Sequence, residues 1–497
     1  MTYSFHLVDS LLVFVYFIAM LLIGLWFFLK KNETVEEFSV ADRSLTAFPL
    51  GLSLFASYVS SIGFFAIPAQ AFESNWSFLA FDLPFPIAAF ITIKYFIPFC
   101  RSNNDICVYT QLYRRFGRWA SVYSSTCFCI TQILYIATIL YLLSTFISLI
   151  FELNGNLTII ITGGIVITYT CIGGIKAVIY SDIIQTFLLI LGTIICAVII
   201  IVKSPSMPEI ISKAIGHSKF NLGDFKFNLS SPNFWVCFIS GTLGHLTTLT
   251  VTQGMVQRYY SAKSDKDAKN SVIILTALII PCTILFLFIG TELFSFYSSS
   301  ENILPQKILD LGSDSTLPHF IFSETPSILK GFLLVCILAA GMSSIDTSIN
   351  ATTTTIYSEI CKPLLRKYTY KINEMTLLYS ISLIVGVIAI LGSMILAPCG
   401  SILDVWIPMA FLFNGGMFGL FLLGVLSRRT KNFHAMLATI IGTILLIWIG
   451  LTDYFSNIPD YLKSPVHSYL NELCITITVV LSGFLLTAIF AKKSNSP

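Results

Sequence analysis

The chain has 497 residues, 55% of them hydrophobic and only 11% charged, with a mean hydropathy of +0.82. Soluble domains carry about a quarter charged residues, so a water-soluble multidomain enzyme, a disordered chain and a nucleic-acid binder are excluded. The formal net charge of +3 says little until the charges are placed along the chain, and a bilayer protein with many spans is the class that fits.

A helix crossing the hydrocarbon core needs about 20 mostly apolar residues. The first such run, residues 11–29, follows a segment without Lys or Arg and ends at Lys30 and Lys31. It reads as a retained span rather than a cleaved leader. Twelve further runs follow, centred near Val59, Ala89, Leu134, Val166, Ile190, Gly244, Leu285, Ala340, Ile384, Leu412, Thr443 and Val480. The fifth span is short, and the second and seventh are rich in Ser, Thr and Gly. The expectation is an all-α integral membrane protein of about 13 transmembrane helices.

Lys and Arg accumulate in cytoplasmic loops. With the N-terminus outside, 21 of the 29 basic residues fall in inside loops, 6 in outside loops and 2 at span ends. An even number of spans would spoil this alternation. Arg258 is assigned to an inside loop with Lys263, Lys266 and Lys269. The longer connections, 204–232 and 297–327, fall outside and have room for short helices on the membrane. No segment is long enough for an attached soluble domain. The expected location is the plasma membrane, multi-pass, with the C-terminus cytoplasmic and the lipid bilayer as a partner. The twelve cysteines lie mostly in apolar runs without a CxxC pair and read as small hydrophobic filler.

Ionisable groups inside spans are costly and mark pathways or sites. In chain order they are Asp82, Asp182, His245, Asp346 and Asp404. Asp404 suits a helix cap near the outer surface, and His245 suits either packing or a site. The second span contains FASYVSSIGF at residues 55–64 with Pro68 beyond it. Ser side chains bond back to the backbone, Gly63 weakens a helix and Pro68 removes a donor. Such a stretch is either a close-packing face or a broken helix whose freed carbonyls bind a cation. In the ninth span Ser343, Asp346, Thr347 and Asn350 recur at spacings of three and four and so share a helix face. Hard oxygen ligands of this kind suit an alkali cation or a proton better than zinc.

Four stretches together resemble the sodium:solute symporter family: the Ser-rich segment followed by IPAQAF at 67–72, YTCIGGIKAVIYSDIIQ at 169–185, QGMVQRYY at 253–260 and SSIDTSIN at 343–350. The pattern is similar to the sialic acid symporter-like members. The resemblance implies a leucine-transporter-like fold with two inverted five-helix repeats, 46–202 and 233–426. Residues 1–45 would add one helix before them and 427–497 two after. It implies Na⁺ as the coupling ion, held by the carbonyls of Ala56, Val59 and Ala340 and the hydroxyls of Ser343 and Ser344. A second Na⁺ in some members would match Asp182, Ser343, Asp346 and Thr347, with Asp346 standing where those relatives have Ser. Pocket-facing positions by the same similarity are Ser60, Gly63, Phe78, Asp82, Tyr135 and His245. Sialic acid symporters present an arginine from the fourth span, whereas the stretch here is Gln132, Ile133, Leu134 and Tyr135. A neutral polyhydroxy solute, or one with an amino group, therefore fits at least as well as a sialate.

The expected function is Na⁺-driven symport of a small polar solute by alternating access. A channel or a solute sensor on the same fold is a competing reading. A membrane-embedded enzyme is not expected, because no nucleophile–base grouping or HExxH pattern appears with usable spacing.

Overall fold

Apolar runs in hydrocarbon must satisfy their own backbone, which leaves the α-helix as the working element here. The computed structural model describes residues 6–30, 34–151, 153–204, 206–298, 303–306, 308, 312–368, 373–395, 402–454, 459 and 463–493. Among these, α1 is Leu7–Leu29. The pair α2 (Ala47–Tyr58) and α3 (Ser61–Glu73) follows, then α4 (Ser77–Arg101), α5 (Arg118–Phe151) and α6 (Gly155–Lys203). The second half holds α7 (Phe234–Val251), α8 (Gln253–Ser261), α9 (Asp265–Tyr297) and α10 (Leu329–Ile356). It continues with α11 (Glu374–Ile395), α12 (Ile402–Leu426), α13 (Asn432–Tyr454) and α14 (Asn471–Lys493).

Ten described helices are long and apolar enough to cross a membrane, or eleven when α2 and α3 count as one bent span. Gly155–Cys171 and Phe413–Leu426 are shorter apolar helices. The first is the opening arm of α6, which breaks at Gly174 (φ 62°, ψ −173°). A left-handed φ of this size costs a side chain more than it costs glycine, so the GG pair at 173–174 separates the fifth and sixth expected spans. The connections expected outside carry the short helices Met207–Gly216 and Thr316–Glu324. The side chain of Asp404 lies outside those described.

Two breaks organise the interior. Between α2 and α3, Val59 and Ser60 are extended, and the helix axis turns by 57°. Pro68 lies inside α3, not at the break. There it serves close packing, because a Cβ on Gly290 of α9 would fall 2.1 Å from the Pro68 carbonyl oxygen. A second break, absent from the expectations above, separates α7 from α8 at the extended residue Thr252.

Burial runs opposite to polarity across these layers. In α10 94% of the most apolar window is buried, although it carries the Ser, Thr and Asp stripe, whereas in α1 only 17% is. Lipid is as apolar as leucine, so the outer helices gain nothing by hiding their side chains. Polar groups gain by pairing inside. Asp9 of α1 is an example: fully buried, it accepts the backbone N–H groups of Ile328 (2.8 Å) and Gly331 (3.0 Å) at the start of α10. A carboxylate there satisfies orphan donors and complements the helix dipole.

Candidate functional site

The α2–α3 break frees the carbonyl of Ala56, whose helical donor would be the N–H of Ser60 in the extended segment. Facing it from α10, the Ser343 hydroxyl lies 2.9 Å from that carbonyl and 3.0 Å from the carbonyl of Ala340. The Ser344 hydroxyl lies 3.5 Å from the same Ala340 oxygen. Val59 closes α2 in extended conformation. One hydroxyl proton thus serves two carbonyl acceptors, and the cluster holds more lone pairs than protons. Neutral carbonyl and hydroxyl oxygens are hard ligands that fit Na⁺. The Tyr135 hydroxyl on α5 has the hydroxyls of both Ser60 and Ser344 as neighbours, which places this cluster next to the cavity that Tyr135 and Ser60 line.

That cavity has a volume of about 260 Å³, and all six pocket-facing positions expected from sequence, Ser60, Gly63, Phe78, Asp82, Tyr135 and His245, line it. Asp82 ends the first turns of α4 and is nearly buried. Its Oδ2 accepts the Thr283 hydroxyl at 2.6 Å, and its Oδ1 lies 3.3 Å from His245 Nε2. The same Nε2 lies 2.9 Å from the Phe81 carbonyl, while Nδ1 meets the Tyr58 hydroxyl. A carbonyl can only accept, so Nε2 carries the proton and Nδ1 accepts from Tyr58. Among the described lining residues none is Lys or Arg. Sequence reasoning missed Tyr58, Thr283, Thr252 and Asn414, all of which line the cavity. Thr283 was legible as a polar residue two positions after Pro281 within an apolar span; Asn414 carried no signal beyond its polarity.

The four residues assigned to a second cation each have protein partners, and Ser343 is the one that faces the α2 break. Asp182 and Thr347 converge on Arg258, which is fully buried in α8. Its Nη2 donates to Asp182 Oδ2 (2.9 Å) and Thr347 Oγ1 (2.7 Å), its Nε to Ser53 Oγ (2.7 Å) and its Nη1 to the Gly254 carbonyl (2.6 Å). Ser53 in turn donates to Asp182 Oδ2 at 2.5 Å. The Asp346 carboxylate turns to the first arm of α6, accepting Tyr169 (2.6 Å) and Thr170 (2.5 Å). Asn350 turns to α8, where Gln257 donates to it at 2.8 Å. The guanidinium therefore engages two of the four residues expected at a second Na⁺, and the assignment of Arg258 to a loop is corrected. The Lys-rich segment that follows masked it: Lys263 lies in the link between α8 and α9 and Lys266 and Lys269 in the first turns of α9, whereas Arg258 lies within α8.

Residues 38–442 match the sodium:solute symporter family. The chain is 26% identical to the sodium/sialic acid symporter NanT of Aliivibrio fischeri over 99% of this chain and 95% of that one. Its fold is similar to the substrate-bound, outward-open state of a Na⁺-coupled sialic acid symporter (TM-score 0.87, 25% identity, 98% of each chain). It shares a leucine-transporter-like fold with Mhp1, a nucleobase-cation-symport-1 family transporter (TM-score 0.62, 15% identity, 92% of this chain and 95% of that one).

Proposed function

Because the chain belongs to the sodium:solute symporter family, we propose that it imports a small polar solute without a net negative charge together with Na⁺. The observation that carries the choice of solute is the cavity: it presents Asp82 and no cationic side chain among its described lining residues. A sialate or simple carboxylate would bring a second negative charge beside Asp82 at low dielectric, where repulsion is weakly screened. Hydroxyl or amino groups of a sugar, polyol or amino compound would donate to Asp82, with Tyr135 and His245 orienting the rest.

The ion would be held by the carbonyls of Ala56, Val59 and Ala340 and the hydroxyls of Ser343 and Ser344, supplying the positive charge that this oxygen cluster lacks. Ser343 on α10 already bridges to α2 through Ala56, and the Tyr135 hydroxyl neighbours both Ser344 and Ser60 at the cavity wall. Occupation of one site then orders residues of the other, which is the coupling that symport needs. No step is assigned to a second Na⁺, since Asp182 and Thr347 are engaged by Arg258. The remaining topology belongs to the same reading: thirteen spans, two inverted repeats at 46–202 and 233–426, and a multi-pass plasma-membrane protein with its N-terminus outside. Charge placement and the paired breaks at Val59 and Thr252 support it.

Competition for Na⁺-driven uptake into proteoliposomes tests the solute class. Neutral sugars, polyols or amino compounds are expected to compete better than simple carboxylates, and Asp82→Asn to weaken the true substrate roughly tenfold, the loss of a charge-assisted hydrogen bond. High-affinity sialic acid uptake unaffected by Asp82→Asn would overturn the reading.

A further inference from the structure

A cavity larger than the solute pocket lies among the described residues. It is a groove of about 770 Å³ between α1 and the second arm of α6. At Gly24 α1 packs against the end of the first arm of α6, where a Cβ would fall 2.9 Å from Tyr169 Cβ and 3.0 Å from the Tyr169 carbonyl. Leu22 and Ile23 of α1 and Ile183 and Ile184 of the second arm of α6 form its apolar walls. The groove opens on the outer surface: Leu22 is 58% exposed and Trp26 60%.

One end is chemically different. Lys30, Lys176 and Glu37 line it, and since Glu37 and Asp42 both pair with Lys176, the cation it offers is Lys30. Lys30 Nζ lies 4.9 Å from the centre of the Trp26 ring, and among the described residues no carboxylate forms an ion pair with it. Lys176 donates to Glu37 at 2.9 Å and to Asp42 at 3.5 Å, which uses two of its three N–H groups. Phe27 stacks on Tyr180 at 5.5 Å. Trp and Tyr beside cations at the end of an apolar helix mark headgroup depth.

We propose that this groove is a binding site for an anionic glycerophospholipid. An acyl chain lies along the walls between α1 and α6, and the phosphate is held by Lys30 and the remaining N–H of Lys176. Lipid is the occupant because both walls belong to membrane-spanning helices and face away from the transport core. A basic pocket between such helices recognises an anionic headgroup. The lipid fills the groove between the two helices, and its phosphate adds to the ties that Lys176 makes to Glu37 and Asp42 ahead of α2.

Fluorescence quenching of the reconstituted full chain tests this, using phosphatidylglycerol or phosphatidylcholine brominated in the acyl chain. Trp26 reports from the groove, and subtracting the signal of Trp26→Phe isolates it. Trp26 quenching is expected to favour brominated phosphatidylglycerol about fivefold, the preference one cation near the surface confers. Lys30→Gln should bring that ratio close to one and Lys30→Arg should retain it. Equal quenching by both lipids, no quenching by either, or a preference that survives in Lys30→Gln would each overturn the proposal.

Discussion

Ser343 has one proton and two carbonyl neighbours, and that imbalance is the strongest statement the structure makes about Na⁺ at the scale of a residue. Removing the hydroxyl deletes one ligand and leaves the helix intact, since α10 is held by its own backbone bonds. Ser343→Ala is therefore expected to raise the Na⁺ concentration for half-maximal uptake roughly tenfold or more, because interactions of polar groups with a charge are worth about 1.5–3 kcal/mol. Uptake measured across a Na⁺ series checks this, and an unchanged half-saturation would remove Ser343 from the ligand set. Legibility in sequence followed chemistry at this scale. Asp82, His245 and Ser343 were found because a polar group in hydrocarbon is expensive and stands out from its span. Thr283 and Tyr58 were not, because hydroxyls are common in such helices and most of them bond back to their own carbonyls, as Thr250 does to Leu246. Position against a neighbour separates the two cases, and sequence spacing holds no record of it.

At the scale of elements, the α2–α3 break was legible and the α7–α8 break was not. The first sits in a run of Ser and Gly; the second falls at Thr252, in a run of Thr and Val before Gly254 that weakens a helix without marking where it breaks. Tertiary contacts hold it open: the freed Val251 carbonyl accepts the Tyr109 hydroxyl at 2.9 Å, and the Gln253 side chain bonds Val108 N–H (2.9 Å) and the Ile106 carbonyl (2.7 Å). The break carries α8 inward and buries Arg258 against Asp182. A buried ion pair seldom stabilises relative to an apolar pair, but losing one partner costs about 3–5 kcal/mol. Arg258→Met should lower the melting temperature of the purified protein severely. Asp182→Asn added to it should recover much of that loss, because the stranded charge is gone. Equal melting temperatures for Arg258→Met and the double variant would contradict the pairing. If the guanidinium's hold on Asp182 and Thr347 leaves one Na⁺ per cycle, as the proposed function has it, Na⁺ activation of uptake in the unmodified protein is expected to show a Hill coefficient near one.

Across the whole molecule the arrangement is a polar interior within an apolar shell. Composition alone announced the shell: helices such as α1 and α14 are hydrophobic along their length and largely exposed to lipid. The interior was legible only in part, because its stability rests on pairings between distant stretches, such as Asp9 with Gly331, Gln257 with Asn350 and Asp182 with Arg258. Each involves residues whose individual roles in sequence admitted a bland reading. What the assembled structure adds is adjacency: Tyr135 and Ser60 line the cavity and Ser344 is a neighbour of the same Tyr135 hydroxyl, so the proposed ion and solute sites adjoin.

The most direct test of that coupling is accumulation of a labelled solute, identified by competition among sugars, polyols and amino compounds, in proteoliposomes with an imposed Na⁺ gradient. The account predicts uptake above the external concentration that collapses when K⁺ replaces Na⁺ and when Ser343 is changed to Ala. Uptake that only equilibrates the solute, or accumulation of equal extent without a Na⁺ gradient, would contradict it.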